Sequence, residues 1–206
     1  MFGIAHYPSF LLAILIFQGI PGPATLLILR TTASYGPRSG FATVFGTLSA
    51  DFVYMLSAIL GIGTLLVLVP SLLFGLQIFG CLYIAWMGIG LLKRAARPSE
   101  KQITPTPAHR HLYRQALFVG LTNPKVVLFF MAFFPSFLAL ESSRLTLVMM
   151  ILHVSILSFL YQANLVGIGN ILAKRFRKKQ SVTLWTRRLA GMLLLLFALR
   201  MAWTHA

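Results

Sequence analysis

FQGIPGPATLLIL at Phe17–Leu29 and FVGLTNPKVVLFF at Phe118–Phe130 are matching stretches of this 206-residue sequence. Aligned without gaps, they share a phenylalanine, a glycine, a proline and a leucine at equivalent positions. The shared proline is Pro23 in the first stretch and Pro124 in the second, and each interrupts an apolar run long enough to cross a bilayer. The match therefore predicts two broken membrane helices.

The residue before each of these prolines, Gly22 or Asn123, favours a helix start, and proline suits the first helical position. We therefore predict that both helices restart at their proline, near the centre of the membrane. A restarting helix presents unpaired backbone N–H groups and the positive end of its dipole, which bind anions such as a substrate carboxylate. Corresponding breaks in two halves of a membrane protein are typical of a transport site. The alternative is a proline kink without a ligand, which is common in membrane helices.

Composition indicates an integral membrane protein. The chain is 58% hydrophobic and only 10% charged, with a mean hydropathy of +0.83, whereas an ordinary soluble domain is about a quarter charged. Its 18 Lys and Arg residues outnumber 3 Asp and Glu and cluster between apolar runs, as at the cytoplasmic ends of membrane helices. The sequence has no basic face with interleaved aromatic residues, so nucleic-acid binding is not indicated. The single cysteine, Cys81, excludes an intramolecular disulfide and a cysteine-clustered metal site.

Six apolar segments are long enough to span a bilayer at about 20 residues each. They run from about Tyr7 to Leu29, Gly40 to Val69, Leu72 to Leu92, Gln115 to Leu140, Leu145 to Ala173 and Leu189 to Trp203. The predicted fold is all-α: one transmembrane domain over residues 1–206, with helices one and four broken. Three spans per half make two inverted repeats, about 5–95 and about 114–206, joined by a polar, mobile connection at about 96–113.

The basic residues orient the predicted spans by the positive-inside rule. The connections after spans one, three and five hold nearly all of them, at Arg30, Arg38, Lys93–Arg114 and Lys174–Arg188. These connections are predicted to be cytoplasmic, and both termini then lie outside. The first residues, MFGIAHYPSF, lack the features of a signal peptide and are predicted to form the outer end of the first span.

Small residues within the spans are expected where helices pack closely. They are Gly40, Gly46, Ala50, Gly80, Gly88 and Gly90. Gly61 and Gly63 are expected to bend or end the unusually long second span.

Two charged residues stand out within the predicted spans. Asp51 is the only acidic residue inside a span, and Lys125 is the only lysine at comparable depth. A carboxylate at the centre of a membrane helix costs about 2.5–3.5 kcal/mol, so it needs a cavity or a partner. We expect both in one polar cavity, with Asp51 as proton acceptor and Lys125 as counter-charge or carboxylate anchor. A buried structural pair is the alternative.

Segment five contributes three polar candidates, His153, Gln162 and Asn164. His153 is a candidate proton relay, although a lone helix histidine is more often a hydrogen-bonded packing residue. Gln162 and Asn164 either line the cavity or bind neighbouring helices. Thr25 and Thr122, beside the breaks, are expected to satisfy freed backbone groups.

Motifs for catalysis or cofactors do not appear in the sequence. There is no GxSxG, HExxH, paired carboxylates or glycine-rich phosphate loop. His109 and His111, in the polar connection, are a weak metal signal alone. Neither an enzyme nor a cofactor or metal site is predicted.

The motifs resemble those of the LysE/RhtB family of amino-acid exporters over essentially the whole chain. They are Pro21-Gly22-Pro23, Gly40…Gly46…Asp51, Leu121-Thr122-Asn123-Pro124-Lys125 and Phe133-Phe134-Pro135. One departure is Ala50, where the family pattern has glycine, and it is expected to narrow the local packing or cavity. The resemblance implies efflux of amino acids or close derivatives from the bacterial cytoplasm, across the inner membrane, driven by the proton gradient. The family exports basic, neutral and hydroxy amino acids, so the substrate stays open.

The function predicted is therefore a secondary active exporter, a proton antiporter working by alternating access at a midplane site. Its partners are an amino-acid substrate, protons and the lipid bilayer, while the sequence leaves monomer or homodimer open. The predicted substrate-binding residues are Pro21, Gly22, Pro23, Thr25, Asn123, Pro124, Lys125, Gln162 and Asn164. The predicted proton-coupling residues are Asp51 and His153. The alternatives are a membrane-embedded enzyme and a structural or assembly subunit.

Overall fold

All regular secondary structure among the described residues is helical. The computed structural model describes residues 4, 6–60, 75, 78, 82–90, 92–93, 107–130, 134–137, 143–176, 188–189, 191–196 and 199. The helices are α1 (Tyr7–Gly19), α2 (Pro23–Tyr35), α3 (Pro37–Ile59), α4 (His109–Leu121), α5 (Pro124–Leu128) and α6 (Arg144–Phe176), with a 3-10 turn at Phe134–Phe137. Residues 82–90 and 191–196 are also helical. The expectations for Gly61, Gly63, Gly80 and Cys81 lie outside the described residues.

The first predicted break is confirmed. Helix α1 ends at Gly19 and α2 begins at Pro23, and the two axes differ by 57°. Gly22 caps α2 in an extended conformation, with φ −145° and ψ −178°. Proline at the first helical position has no N–H to leave unpaired, so the restart at Pro23 costs little.

The second predicted break is also confirmed. Helix α4 ends at Leu121, and α5 begins at Pro124 after the N-cap residue Asn123. The Asn123 side chain accepts a hydrogen bond from the backbone N–H of Lys125 at 3.1 Å, as N-cap asparagines do.

Helix α4 begins earlier than predicted, at His109. Residues 109–114, assigned to the polar connection from their charge, are therefore helical. Leu112 and Ala116 lie one turn apart and are both buried, so this basic segment has an apolar stripe that packs against the protein.

Three candidate spans fall within the described residues. Helices α3 and α6 are each long and apolar enough to cross a bilayer, and the bent pair α1 and α2 is a third candidate. Large apolar side chains are exposed on the outer faces of α1 and α6, such as Leu12, Ile16 and Ile156. Exposed apolar faces of this kind suit contact with lipid. Most of the predicted third and sixth spans lies outside the described residues.

Helix α3 occupies the centre, with α2, α4 and α6 packed around it. Close packing at small residues is confirmed where a Cβ on Gly46 would clash with the Tyr113 carbonyl and a Cβ on Gly120 would clash with the Cβ of Ala50. The same prediction holds at Gly40, against Thr32, and at Gly88, against residues 191–195. Gly90 has no neighbour within 4 Å among the described residues, so for Gly90 close packing stays a prediction.

Two of the three apolar clusters among the described residues lie at different levels of the helix bundle. The aromatic cluster joins α1, α3, α5 and α6 and includes Phe10, Ile14, Phe17, Val126 and Phe130. The aliphatic cluster joins α2, α3 and α6 and consists of Ile28, Val44, Leu165 and Val166. The level between the two clusters holds the polar residues described next.

Candidate functional site

A cavity of about 30 Å³ lies where the two helix breaks meet α3 and α6. A water molecule needs about 10–15 Å³ of such a cavity, so there is room for about two. Phe17 and Val126 of the aromatic cluster and Ile28 and Leu165 of the aliphatic cluster form apolar walls. The remaining lining residues are Gln18, Gly22, Ala24, Thr25, Thr47, Asp51, Gly120, Asn123, Lys125, Tyr161 and Gln162.

Asp51 reaches the cavity from α3 and is only 5% exposed. Its carboxylate makes no hydrogen bond or salt bridge with any residue that the structure describes, although the charge of Lys125 acts on it across the cavity. A buried carboxylate is costly unless it is solvated or paired. Asp51 is therefore placed to take a proton or a cationic group that enters the cavity.

Lys125 follows the second break and bonds to the first. Its ammonium Nζ donates a hydrogen bond to the Ile20 carbonyl at 2.6 Å and lies 4.5 Å from the centroid of the Phe17 ring. Ile20 is the C-cap of α1, where the helix dipole is negative and carbonyls lack partners within the helix. Lys125 thus satisfies the end of the broken first helix.

The two breaks are in direct contact, but within the described part of the chain only the first offers backbone N–H groups without a partner. A Cβ on Gly22 would lie 3.8 Å from Asn123 Nδ2. The N–H groups of Ala24 and Thr25 have no carbonyl partner among the described residues, whereas the Lys125 N–H is capped by Asn123. The prediction of unpaired N–H groups therefore holds at α2. It fails at α5, because the Asn123 side chain accepts a hydrogen bond from the first N–H of that helix, which belongs to Lys125.

Uncharged polar side chains complete the cavity wall. Thr47 lies one turn before Asp51 on α3, and its hydroxyl donates to Gln162 Oε1. The amide nitrogen of Gln162 has no partner among the described residues, so it is a donor for the cavity. Gln18 on α1 donates to the Ser158 hydroxyl on α6.

Sequence reasoning missed Gln18, Thr47 and Tyr161 as lining residues. Two sequence signals were present: Gln18 lies next to the Pro21-Gly22-Pro23 break, and Thr47 lies four residues before Asp51, on the same helix face.

Several predicted site residues are placed away from the cavity. Asn164 is exposed and donates to the Leu160 carbonyl at 2.8 Å. His153 Nε2 is 2.8 Å from the Tyr7 hydroxyl, and its Nδ1 is 2.6 Å from the Met149 carbonyl. Pro21 is exposed, and Pro23 begins α2 without lining the cavity. Pro124 begins α5 at the second break. No group of three metal-ligating residues occurs among the described residues, and His109 and His111 lie in the first turn of α4.

Comparisons with known proteins give a family and several relatives. The family model described as LysE type translocator matches residues 15–205. An uncharacterized membrane protein of Pseudomonas aeruginosa is 30% identical, over 97% of this chain and 96% of its own length. Leucine efflux proteins of Klebsiella pneumoniae and an Enterobacter species are 27% and 26% identical, over 98% and 99% of this chain and 96% and 98% of their own. No solved structure matches.

Proposed function

The chain belongs to the LysE type translocator family, and on that basis we propose that it exports an amino acid or close derivative from the bacterial cytoplasm, across the inner membrane. A member of this family is a transporter rather than an enzyme. Several relatives of similar length are named leucine efflux protein, so leucine is the first substrate to test.

One observation carries the proposal: a single cavity between the helix breaks holds Asp51, Lys125 and the free N–H groups of α2. An amino acid is a zwitterion, with a carboxylate and an ammonium on neighbouring carbons. Asp51 complements the ammonium, while Lys125 and the N–H groups of Ala24 and Thr25 complement the carboxylate. Asn123 and Gln162 add amide donors at the same wall.

Proton coupling follows from competition for Asp51. The carboxylate attracts a substrate ammonium only while it is ionised, and a bound proton removes that attraction. A site that holds either the proton or the substrate exchanges one for the other across the membrane. This competition makes the transporter an antiporter, with Asp51 as the coupling group.

Alternating access explains why the cavity is too small for its substrate. Room for about two water molecules does not admit an amino acid, so one apolar cluster must separate before the substrate enters. The aliphatic cluster lies on the side of the α2–α3 turn, which Arg30 and Arg38 flank. With those arginines in the cytoplasm, separation of this cluster admits substrate from inside, and separation of the aromatic cluster releases it outside.

The complete topology proposed has six spans in two inverted repeats, with both termini outside. The basic connections support this orientation, because it places them all in the cytoplasm, where connections rich in Lys and Arg are normally found. The two breaks support the repeat, because they begin at equivalent residues of two similar stretches and meet at one cavity.

Purified protein in liposomes tests the proposal. Radiolabelled leucine, lysine, threonine and glutamate are each offered with and without an imposed pH gradient. We expect one class to be transported, faster with the gradient, and we expect no transport in empty liposomes. Absence of transport for every amino acid, from protein that is monodisperse before reconstitution, would refute export.

A further inference from the structure

Helix α3 carries a line of buried hydroxyl groups that leads to Asp51. Ser39 and Thr43 are each 1% exposed and Thr47 is 3% exposed. These three residues, here called the hydroxyl ridge, are spaced four residues apart, and Asp51 occupies the next position. Residues four apart lie on one ridge of a helix, about 6 Å from each other, so the distance along α3 from Ser39 to Asp51 is about 18 Å.

A second observation places an unsatisfied hydroxyl beside the start of the ridge. The Thr32 side chain on α2 is 1% exposed, and its Oγ1 has no hydrogen-bond partner among the described residues. It lies against Gly40, which follows Ser39, and a Cβ on Gly169 of α6 would be 3.0 Å from its Cβ. Buried hydroxyls are nearly always hydrogen-bonded, to water if not to protein. The unpartnered Thr32 hydroxyl therefore calls for a water molecule in the seam between α2, α3 and α6.

We propose that this seam is the route by which the proton on Asp51 leaves for the cytoplasmic side, through water molecules held by the hydroxyl ridge. The inference rests on the proposed proton-coupled export and adds the path that such coupling requires. One proton leaves the Asp51 carboxyl group and one emerges beside Ser39, so each oxygen on the path ends with the hydrogens with which it began.

The hydroxyl groups have the geometry for this role. Thr43 donates to the Ser39 carbonyl at 3.1 Å, and the single hydroxyl proton of Thr47 is shared between Gln162 Oε1 and the Val44 carbonyl at 2.8 Å. Both hydroxyl oxygens are therefore left able to accept a hydrogen bond from water. A gap of about 6 Å between successive hydroxyls fits one bridging water. The first such water would occupy the cavity between Thr47 and Asp51.

While the aliphatic cluster is closed, the apolar residues of the same seam block the substrate but leave the line of hydroxyl groups intact. The aliphatic cluster packs Val44 of α3 against Ile28 and Leu165, which excludes a wide column of water. A single file of water molecules needs only the hydroxyl groups as hydrogen-bond partners. Lys125 of α5 and Tyr161 of α6 line the same cavity as Asp51, and Arg38 lies in the first turn of α3 at the other end of the ridge.

Thr43 provides the test, because it lies on the ridge but not at the cavity. Valine has the shape of threonine without the hydroxyl. For Thr43→Val in liposomes, we expect transport driven by a pH gradient to fall about tenfold or more, since a water on the path loses a partner. Exchange of labelled for unlabelled substrate at equal pH needs no net proton movement and should change less than about twofold. Thr43→Ser should restore gradient-driven transport.

A matched control lies off the ridge on the same helix. The half-buried Ser57 hydroxyl donates to the Val53 carbonyl at 2.8 Å, four residues back, as Thr43 does to the Ser39 carbonyl. Ser57→Ala should leave both activities unchanged, whereas Ser39→Ala should behave like Thr43→Val.

The outcomes separate this path from the export proposal. Intact gradient-driven transport in both Thr43→Val and Ser39→Ala would overturn the path while export stands. Equal losses of exchange and gradient-driven transport, with no rescue by Thr43→Ser, would also overturn it, because they indicate a packing role. Absence of transport in the unaltered protein would instead refute the proposed function itself.

Discussion

The Lys125 ammonium donates a hydrogen bond to the Ile20 carbonyl at 2.6 Å, so a residue of the second helix break satisfies the C-terminal end of the first. The same ammonium lies over the Phe17 ring. A substrate carboxylate would compete with the Ile20 carbonyl for Lys125. Under the proposed function, substrate binding and the geometry of both breaks would therefore be linked through one side chain.

Replacement of Lys125 tests this link. Lys125→Met keeps the length of the side chain and removes the charge, and it should lower stability by about 1.5–3 kcal/mol, the usual worth of a hydrogen bond to a charged group. Transport should also fall, because the carboxylate loses its cation. Thermal unfolding in detergent and uptake into liposomes measure the two effects. Lys93→Met, at an exposed lysine, is the matched control. If Lys125→Met unfolded at the same temperature as the unaltered protein, the link would be contradicted.

Asp51→Asn tests the coupling group. The amide keeps the shape of the carboxylate but neither accepts a proton nor attracts an ammonium. We expect loss of acceleration by a pH gradient and a substrate affinity weaker by about tenfold or more, since a buried charge-assisted hydrogen bond is lost. The protein should still insert and purify as a monodisperse species. Asp51→Glu should retain a gradient response, and full gradient-driven transport by Asp51→Asn would remove Asp51 from the mechanism.

Gly120→Ala tests the contact between α3 and α4 behind Asp51. The added methyl group would clash with the Cβ of Ala50, and overpacking of this kind costs about 1–3 kcal/mol. The double variant Ala50→Gly with Gly120→Ala should recover stability, because the methyl group only changes sides. Gly167→Ala is the control, with no neighbour within 4 Å among the described residues. Equal melting temperatures for the single and double variants would show that this clash is relieved elsewhere.

His153 stays a candidate proton relay from the sequence, but its hydrogen bond to Tyr7 and its distance from the lining residues favour a structural role. His153→Gln should therefore keep the full gradient response and lose about 1 kcal/mol of stability, the usual net worth of a hydrogen bond. Tyr7→Phe should lose a similar amount. Loss of the gradient response in His153→Gln, with exchange at equal pH intact, would instead assign the relay to His153.

The sequence was most informative where a local rule forces the structure. Pro23 and Pro124 cannot continue a helix, so both restarts were predictable. Asp51 and Lys125 were singled out because charges inside a membrane need a polar environment, and the structure places both on one cavity. Small residues such as Gly46 indicated close helix packing, because a small side chain lets two helices approach each other.

Tertiary contacts were beyond the sequence. Gln18 and Thr47 are uncharged, and polar residues of this kind have several ordinary uses within a membrane helix. The bond from Lys125 to Ile20 joins residues 105 apart in sequence, and no periodicity or motif encodes such a pair. The early start of α4 was missed because its charged residues hide an apolar stripe at Leu112 and Ala116.

The wide separation of Ile20 and Lys125 in the sequence has a consequence for biosynthesis. While the ribosome is still making the second half of the chain, the Ile20 carbonyl lacks the cation that later satisfies it, and an unpaired carbonyl is poorly tolerated in lipid. The newly made amino-terminal half should therefore stay near water or the insertion machinery until residue 125 emerges. Folding of the first helix break is thus completed only after most of the protein has been translated.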